Sequence, residues 1–392
     1  MAKATGTRAS RLSAVMREGE RVKPLELFFD LIFVLALTQC TALMVGHPTW
    51  EGLAEGLLVL ALLWWAWTGY AWLTSVVDPE EGAVRIALFA VMAALLIAAL
   101  SVPQAFDQHA LQFALAYAVV RAGHIALFVL ASREDVALRH SVWTLAGSTA
   151  VGVGLLVGGA VLGAGWQAAL WTLALSLDMA GPYFFGAEGW KLVPGHFAER
   201  HWLIIIVALG ESVVALGVGA QVGLTAGVVV ASILGMALVG ELWWLYFDVV
   251  AIVGAARLAR TSEGRERNQL ARDAYSYMHF MLVAGIEIAA FGLHQTLAHV
   301  ASPLMAVSAF ALLGGVALYL LGHVAIRLRH VRTLNRQRLA LAAVLFALIP
   351  AAVELPSLAV LAIITALLCV MIVYETIGYG EGRARVRHAL EG

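Results

Sequence analysis

The apolar positions of this chain are gathered into long continuous runs separated by short polar punctuation. Runs of roughly 20 apolar residues, the length of helix that crosses about 30 Å of hydrocarbon, fall near 27–46, 53–75, 83–102, 108–131, 140–162, 165–184, 202–221, 224–247, 274–297, 304–326, 337–353 and 357–378. A transmembrane barrel would show short segments of alternating polarity instead. The pattern predicts an all-α fold, a polytopic membrane helix bundle of about twelve transmembrane helices. Composition agrees, with 61% hydrophobic and 13% charged residues and a mean hydropathy of +0.86, against about 45–50% apolar and about 25% charged in soluble domains.

Lys and Arg give an independent register, because cationic loops are retained on the cytoplasmic side of a membrane. With twelve crossings, the two tails and every even-to-odd loop should be cytoplasmic. The N-terminal stretch holds Lys3, Arg8, Arg11, Arg17, Arg21 and Lys23; the loops hold Arg85, Arg133, Arg139, Lys191, Arg200, Arg257 to Arg272 and Arg327 to Arg338; the end holds Arg383, Arg385 and Arg387. The other six loops, among them "GHPTWEG", "VPQAFDQ" and "PAAVELPS", contain neither residue. Both termini are therefore expected in the cytoplasm, giving a basic arm (1–23), a transmembrane bundle (24–380) and a short basic tail (381–392). The net charge of −1 conceals a molecule that is basic on one side. That basic side reads as an orientation signal, not as a nucleic-acid surface, and "MAKATGTRASRLSAVMREGERVKP" lacks the apolar core and cleavage site of a signal peptide.

Cys40 and Cys369 lie in separate membrane runs and imply no disulfide framework. The 12 histidines include no HExxH and no pair at zinc spacing. Glycine strings such as "GVGLLVGGAVLGAG" have the spacing of helix packing and lack the Gly-Lys-Ser/Thr of a phosphate loop. No metal, no cofactor and no enzymatic nucleophile constellation is expected.

The informative chemistry is the charge placed inside the spans. Asp30, Arg121, Asp178, Glu211, Glu241 and Glu287 fall within or just inside helices, with His124, His279 and His294 beside them. Each costs a few kcal/mol at the bilayer centre unless paired, hydrated or protonated, so these groups should face the bundle interior. At about 100° per residue, Glu26, Asp30 and Thr41 share one arc of the first span, and Glu241 and Asp248 share a side of the eighth. Glu287 and His294 nearly eclipse on the ninth, and Tyr117, Arg121 and His124 form a stripe on the fourth. Arg121 cannot readily discharge and requires a carboxylate, with Glu211 and Glu287 at comparable depth. Since the acids outnumber this single Arg by about five to one, some must be protonated, matched to cations or wetted. Gly210, Gly217 and Gly219 around Glu211 would permit close backbone approach. Trp64, Trp65, Trp67, Trp243 and Trp244 are candidates for a planar pocket or an interface belt, and belt is favoured for the last two.

"PLELFFDLIFVLALTQ", "ERHWLIIIVALGESVVALGVG", "ELWWLYFD" and "YSYMHFMLVAGIEIAAFGLHQTLAH", in this order, closely resemble the bacterial low temperature requirement protein A (LtrA) family over about residues 20–380. The resemblance implies a polytopic bacterial inner-membrane protein and no settled substrate. It places the family's charged signature on Glu26 and Asp30; on Glu199, Arg200, His201, Gly210, Glu211 and Ser212; on Glu241, Trp244 and Asp248; and on Tyr275, His279 and Gly285.

The residues expected to bind ions or substrate are thus Asp30, Glu26, Arg121, Glu211, Glu241, Asp248, His279 and Glu287. The leading expectation is a secondary transporter coupled to protons or monovalent cations and moving an unknown small solute across the lipid bilayer, in which cation or proton binding at the acids shifts inward- against outward-open states. A cation channel and a non-transporting scaffold or sensor are the alternatives, and oligomerisation is compatible with the glycine-lined helices. All of these rest on the acids converging on one central space.

Overall fold

A computed structural model describes residues 19, 21–80, 82–184 and 189–391; most of the expected N-terminal arm lies outside them. The described residues form α1 (Pro24–Gly46), α2 (Trp50–Thr74), α3 (Gly82–Ser101), α4 (Ala110–Ala131), α5 (Val136–Leu162), α6 (Ala164–Phe184), α7 (Pro194–Gly219), α8 (Ala226–Phe247), α9 (Val250–Arg260), α10 (Arg265–Leu270), α11 (His279–Ala298), α12 (Ala306–Val331), α13 (Arg336–Ala352) and α14 (Ser357–Glu391). A π-helical turn, Ala271–Met278, joins α10 to α11.

Every predicted run coincides with a helix. Among the described residues ten helical segments are long and apolar enough to cross a membrane. The remaining two of the expected twelve, α6 and the 17-residue α13, stand at their expected places. The stretch between spans eight and nine differs from expectation: α9, α10 and the π turn occupy what reads as a basic loop. The reason is that α9 buries only a narrow face, Ala251, Gly254 and Leu258, and is too short for the hydropathy signal of a span. Likewise α14 continues as helix through most of the stretch assigned to the tail.

Local chemistry sets several helix starts. Pro24 occupies the first turn of α1, where its missing N–H is no loss, and Glu26 reaches back to accept the Lys23 backbone N–H at 2.9 Å. Side-chain oxygens of Thr49, Asp135, Thr225 and Asn335 accept first-turn N–H groups of α2, α5, α8 and α13, the usual capping arrangement. The Leu138 N–H and the Lys191 ammonium, 2.6 Å from Asp135, hold the Asp135 carboxyl below the usual carboxylate range. This stabilising contribution is present at neutral pH and is lost only as pH falls through that lowered value.

The even-to-odd connections meet at one end of the bundle. Lys23 pairs with Asp78, the Val22 N–H donates to Glu199 at 3.1 Å, the Val193 N–H donates to Ser75 Oγ at 2.9 Å, and Arg329 pairs with Asp273 at 3.0 Å. Odd-to-even connections meet at the other end, where Ser357 bonds to the Ser302 and His299 carbonyls. The structure thus has one basic end.

The centre is formed by α2, α10 to α11, and α12, in which 78% of the spanning window is buried, while α5 lies outermost at 22%. Close approach of α11 to α12 depends on glycine. A Cβ on Gly285 would stand 2.7 Å from the Gly315 carbonyl oxygen, one on Gly315 would stand 2.6 Å from the Ala289 nitrogen, and one on Gly292 would meet the Leu312 backbone at 2.6 Å. Small residues at such spacing let helix backbones touch in a membrane, where packing replaces the hydrophobic effect. Of the glycines near Glu211, only Gly219 makes a comparable approach, to the His294 carbonyl at 2.9 Å; Gly210 and Gly217 face open space.

Gly315→Ala should therefore lower stability by about 1–3 kcal/mol through backbone overpacking, read as a reduced melting temperature of the detergent-purified protein. Gly217→Ala should leave it unchanged or slightly raised. Equal effects at the two positions would contradict the α11–α12 contact.

Candidate functional site

Five of the eight candidate residues, Glu26, Asp30, Glu211, His279 and Glu287, lie on α1, α7 and α11, whose sequences each carry a polar group near the basic end and another deeper. At the basic end, Pro194 in the first turn of α7 starts that helix before the apolar run, which draws His196, Arg200 and His201 into the bundle. All three are buried. His196 Nε2 lies 2.8 Å from Glu26, Arg200 Nη2 donates to Asp30 Oδ1 at 3.0 Å, and Arg200 Nη1 stands 4.0 Å from Glu26. Trp67 Nε1 donates to the same Asp30 oxygen at 2.9 Å, and the guanidinium lies 5.5 Å from the Trp67 ring centroid. Arg200 was expected in a loop. Its helical, buried position was signalled by Pro194, a strong start residue eight positions before the run.

About 11 residues, or roughly 16 Å, further along α1, a second group surrounds Glu211 of α7 and Glu287 of α11. Both are buried. The Thr38 hydroxyl bonds to Glu211, the Thr41 hydroxyl donates to Glu287 Oε2 at 3.2 Å, and the two carboxyls lie near enough for their charges to act on each other and on Cys40. Neither acid forms an ion pair among the described residues, and Glu287 Oε1 has no hydrogen-bond partner there. Fully buried Phe33, Leu37, Ile204, Ala208, Leu282 and Val283 separate this group from the ionic cluster at the basic end.

Arg121 stands apart from both groups. Its partner is Asp178 of α6, at 2.6 Å, and not Glu211 or Glu287; Thr149 of α5 completes a triangle, accepting from Arg121 at 2.8 Å and donating to Asp178 at 3.2 Å. The pair ties α4 to α5 and α6, so the expected single convergence of acids resolves into separate clusters. Arg338, also buried, makes two hydrogen bonds to Glu375, at 3.1 and 3.0 Å. The charge count changes accordingly. Three buried arginines each have a carboxylate, and the imbalance narrows to Glu211, Glu287 and Glu241. Glu241 is half-buried on α8, with Oε2 lacking a hydrogen bond among the described residues. Asp248 occupies the C-terminal cap of α8 and is half-buried.

His279 belongs to an aromatic chain that linear spacing does not reveal. Its Nδ1 lies 2.7 Å from the Ala274 carbonyl, and a carbonyl only accepts, so Nδ1 carries the proton and Nε2 of the neutral ring accepts from the Tyr246 hydroxyl at 2.9 Å. The His279 ring stacks on Tyr275 at 4.9 Å and meets His201 edge-on at 5.3 Å; Tyr275 in turn meets His330, and Tyr246 meets His323. His201 meets Trp67, whose indole holds Asp30. The π turn before His279 displaces the register so that its side chain reaches the Ala274 carbonyl five residues back, and such turns recur at functional sites. Trp64 and Trp67 are buried and stacked, whereas Trp243 and Trp244 are exposed, as a belt requires.

Arg121→Ala should destabilise by about 3–5 kcal/mol, because it leaves Asp178 buried without its counter-charge. The double variant Arg121→Met, Asp178→Leu should recover much of that loss in thermal unfolding of the purified protein. Additive losses would show that the two residues do not act as a pair.

No solved structure matches the chain. The uncharacterized protein RA0937 of Rhizobium meliloti (strain 1021) is 31% identical over 318 residues, an alignment covering 76% of this chain and 75% of that protein. The family model described as bacterial low temperature requirement A protein (LtrA) matches residues 21–373. Together with ten helical segments long and apolar enough to span a membrane, these matches identify the chain as a multi-pass membrane protein belonging to the LtrA family.

Proposed function

We propose that this protein is a secondary transporter of the bacterial inner membrane, not an enzyme, that couples proton or monovalent-cation movement to that of a small solute, with Glu211 and Glu287 as the coupling site. The observation that carries the reading is the burial of two neighbouring carboxyls with no basic partner among the described residues. Two like charges in such a place cannot both persist unless a proton or cation is held between them.

The Thr38 hydroxyl can serve either protonation state of Glu211. Thr38 Oγ1 lies against both the Val34 carbonyl, at 3.1 Å, and the Glu211 carboxyl, yet a hydroxyl has one proton to donate. It donates to Glu211 when the carboxyl is ionised; when Glu211 is protonated the hydroxyl can turn to the Val34 carbonyl and accept a hydrogen bond from the proton of the carboxyl. Release of this proton would leave Glu211 charged beside Glu287, raising the cost of the closed packing and favouring a state in which water or a cation reaches the pair.

Under this reading the basic end faces the cytoplasm, as the cationic connections dictate. The ionic cluster of Glu26, Asp30, Arg200 and His196 closes the bundle on that side, and the apolar belt of Phe33, Leu37 and Ile204 keeps water from the acid pair until the helices move. The cluster lies on α1 and α7, and the acid pair with its threonines lies on α1, α7 and α11, so opening one end can be coupled to occupancy at the other. A cation channel would need a continuous wet path through that belt.

The test is proteoliposomes loaded with a pH-sensitive dye and challenged with solute gradients. Wild-type protein should show proton flux that depends on a solute gradient, and Glu211→Gln or Glu287→Gln should abolish coupling while keeping a wild-type elution profile. Voltage-driven cation current without solute dependence would sink the transporter reading in favour of a channel. Absence of any flux, with variants that fail to accumulate, would leave the acids a structural role.

A further inference from the structure

At the basic end a cavity of about 650 Å³ opens between α9, the C-terminal half of α12, the start of α13 and α14. Its volume lies within the about 300–1,000 Å³ typical of small-molecule sites. Arg327, Arg336 and Arg338 line it, with Glu375 as the single acid among its lining residues. Glu375 is engaged by both arms of the Arg338 fork. Arg327 donates from Nε to the Thr333 hydroxyl at 3.0 Å, and neither Arg327 nor Arg336 has a carboxylate partner among the described residues, so the cavity carries surplus positive charge.

Two further residues point to an occupant. His323 and His330 line the same cavity and are 1% and 6% exposed. Neither ring nitrogen of either residue makes a hydrogen bond among the described residues. A buried polar group without a partner is costly, and each neutral imidazole keeps one N–H that lacks an acceptor at the border of the cavity. The first turn of α13 enters the same wall through Arg336 and Arg338, adding the positive end of a helix dipole. Asn335 and Gln337 stand beside the arginines, and the remaining wall is apolar, formed largely by Val249, Val250, Val253, Ile326 and Leu334. Donors and positive charge on one side with an aliphatic wall on the other are complementary to an anion attached to an apolar body.

We propose that this cavity binds an amphipathic phosphate or carboxylate, its anionic head held by Arg327, Arg336 and the ring N–H groups of His323 and His330, and its apolar part against Val250, Val253 and Leu334. The head-group chemistry is shared by free organic anions and by anionic lipids of the adjoining leaflet. The site does not rest on the coupling role of Glu211 and Glu287. It adjoins the aromatic chain through His323 with Tyr246 and His330 with Tyr275, so its occupant sits next to the groups that connect to Asp30.

The experiment uses the full chain in nanodiscs of zwitterionic lipid and hexyl phosphate as probe, with calorimetry as readout. Saturable binding is expected, weakened by salt and by roughly tenfold in the double variant Arg327→Gln, Arg336→Gln. Both arginines are exposed, and an unchanged melting temperature checks the fold of that variant. His323→Phe should also weaken binding, and hexanol should not compete. Repeating the titration in nanodiscs containing phosphatidylglycerol separates the sources: loss of hexyl phosphate binding there identifies a lipid head group as the occupant, and retention identifies a soluble anion. No saturable binding in zwitterionic nanodiscs, or equal affinity in wild type and double variant, would overturn the proposal. Because the assay measures no flux, its failure is separate from failure of the transport reading.

Discussion

Hydrocarbon offers almost nothing to stabilise a bare charge, and this constraint organises the interior of the bundle. A guanidinium cannot shed its proton at any pH the cell reaches, so each buried arginine must be met by a carboxylate from another helix. Arg121 finds Asp178, Arg200 finds Asp30 and Arg338 finds Glu375. These three matches join α4 to α6, α7 to α1 and α13 to α14. They act as cross-links at three separate places, and breaking any one by removing a single partner is far more damaging than replacing both. Carboxyls left over from this matching differ in kind, because an acid can be neutral. Glu211 and Glu287 belong to that remainder, and their environment of threonine hydroxyls suits a group that gains and loses a proton.

Much of the architecture was legible in the sequence because a hydrocarbon slab imposes a minimum length on every crossing. The runs at 27–46 through 357–378 became helices, and the Lys and Arg alternation placed the even-to-odd connections together. What linear reading could not supply was the identity of neighbours. Helical phase put Arg121 on a buried stripe with Tyr117 and His124, but phase on α4 says nothing about whether α6, α7 or α11 packs against that stripe. The same limit hid the meeting of Tyr246, Tyr275, His323 and His330, which are dispersed over α8, the π turn and α12 and come together only through tertiary packing. Arg200 was misplaced for a different reason: hydropathy begins the seventh span at Trp202, while the proline eight residues earlier starts the helix.

The acids do not gather in one space as a common helical phase suggested. Two layers result instead, an ionic one at the basic end and a hydroxyl-bonded one deeper in, with Phe33 and Leu37 between them on α1. Such layering separates the ion-paired carboxyls from those held only by hydroxyls. It also separates the motif residues: Glu26, Asp30 and Arg200 belong to an ion-paired cluster that joins α1 to α7, whereas Glu211 has no basic partner among the described residues.

The backbone contact between α11 and α12 has a mechanical meaning. With Gly285, Gly315 and Gly292 leaving no side chain between the two backbones, a rotation that carries a neighbouring side chain into the contact meets steric collision. They therefore behave as a single stiff paddle. Glu287 rides on one helix of that pair and the imidazoles of His323 and His330 on the other, so a displacement of the pair as a body would carry both without requiring a chain of side-chain rearrangements.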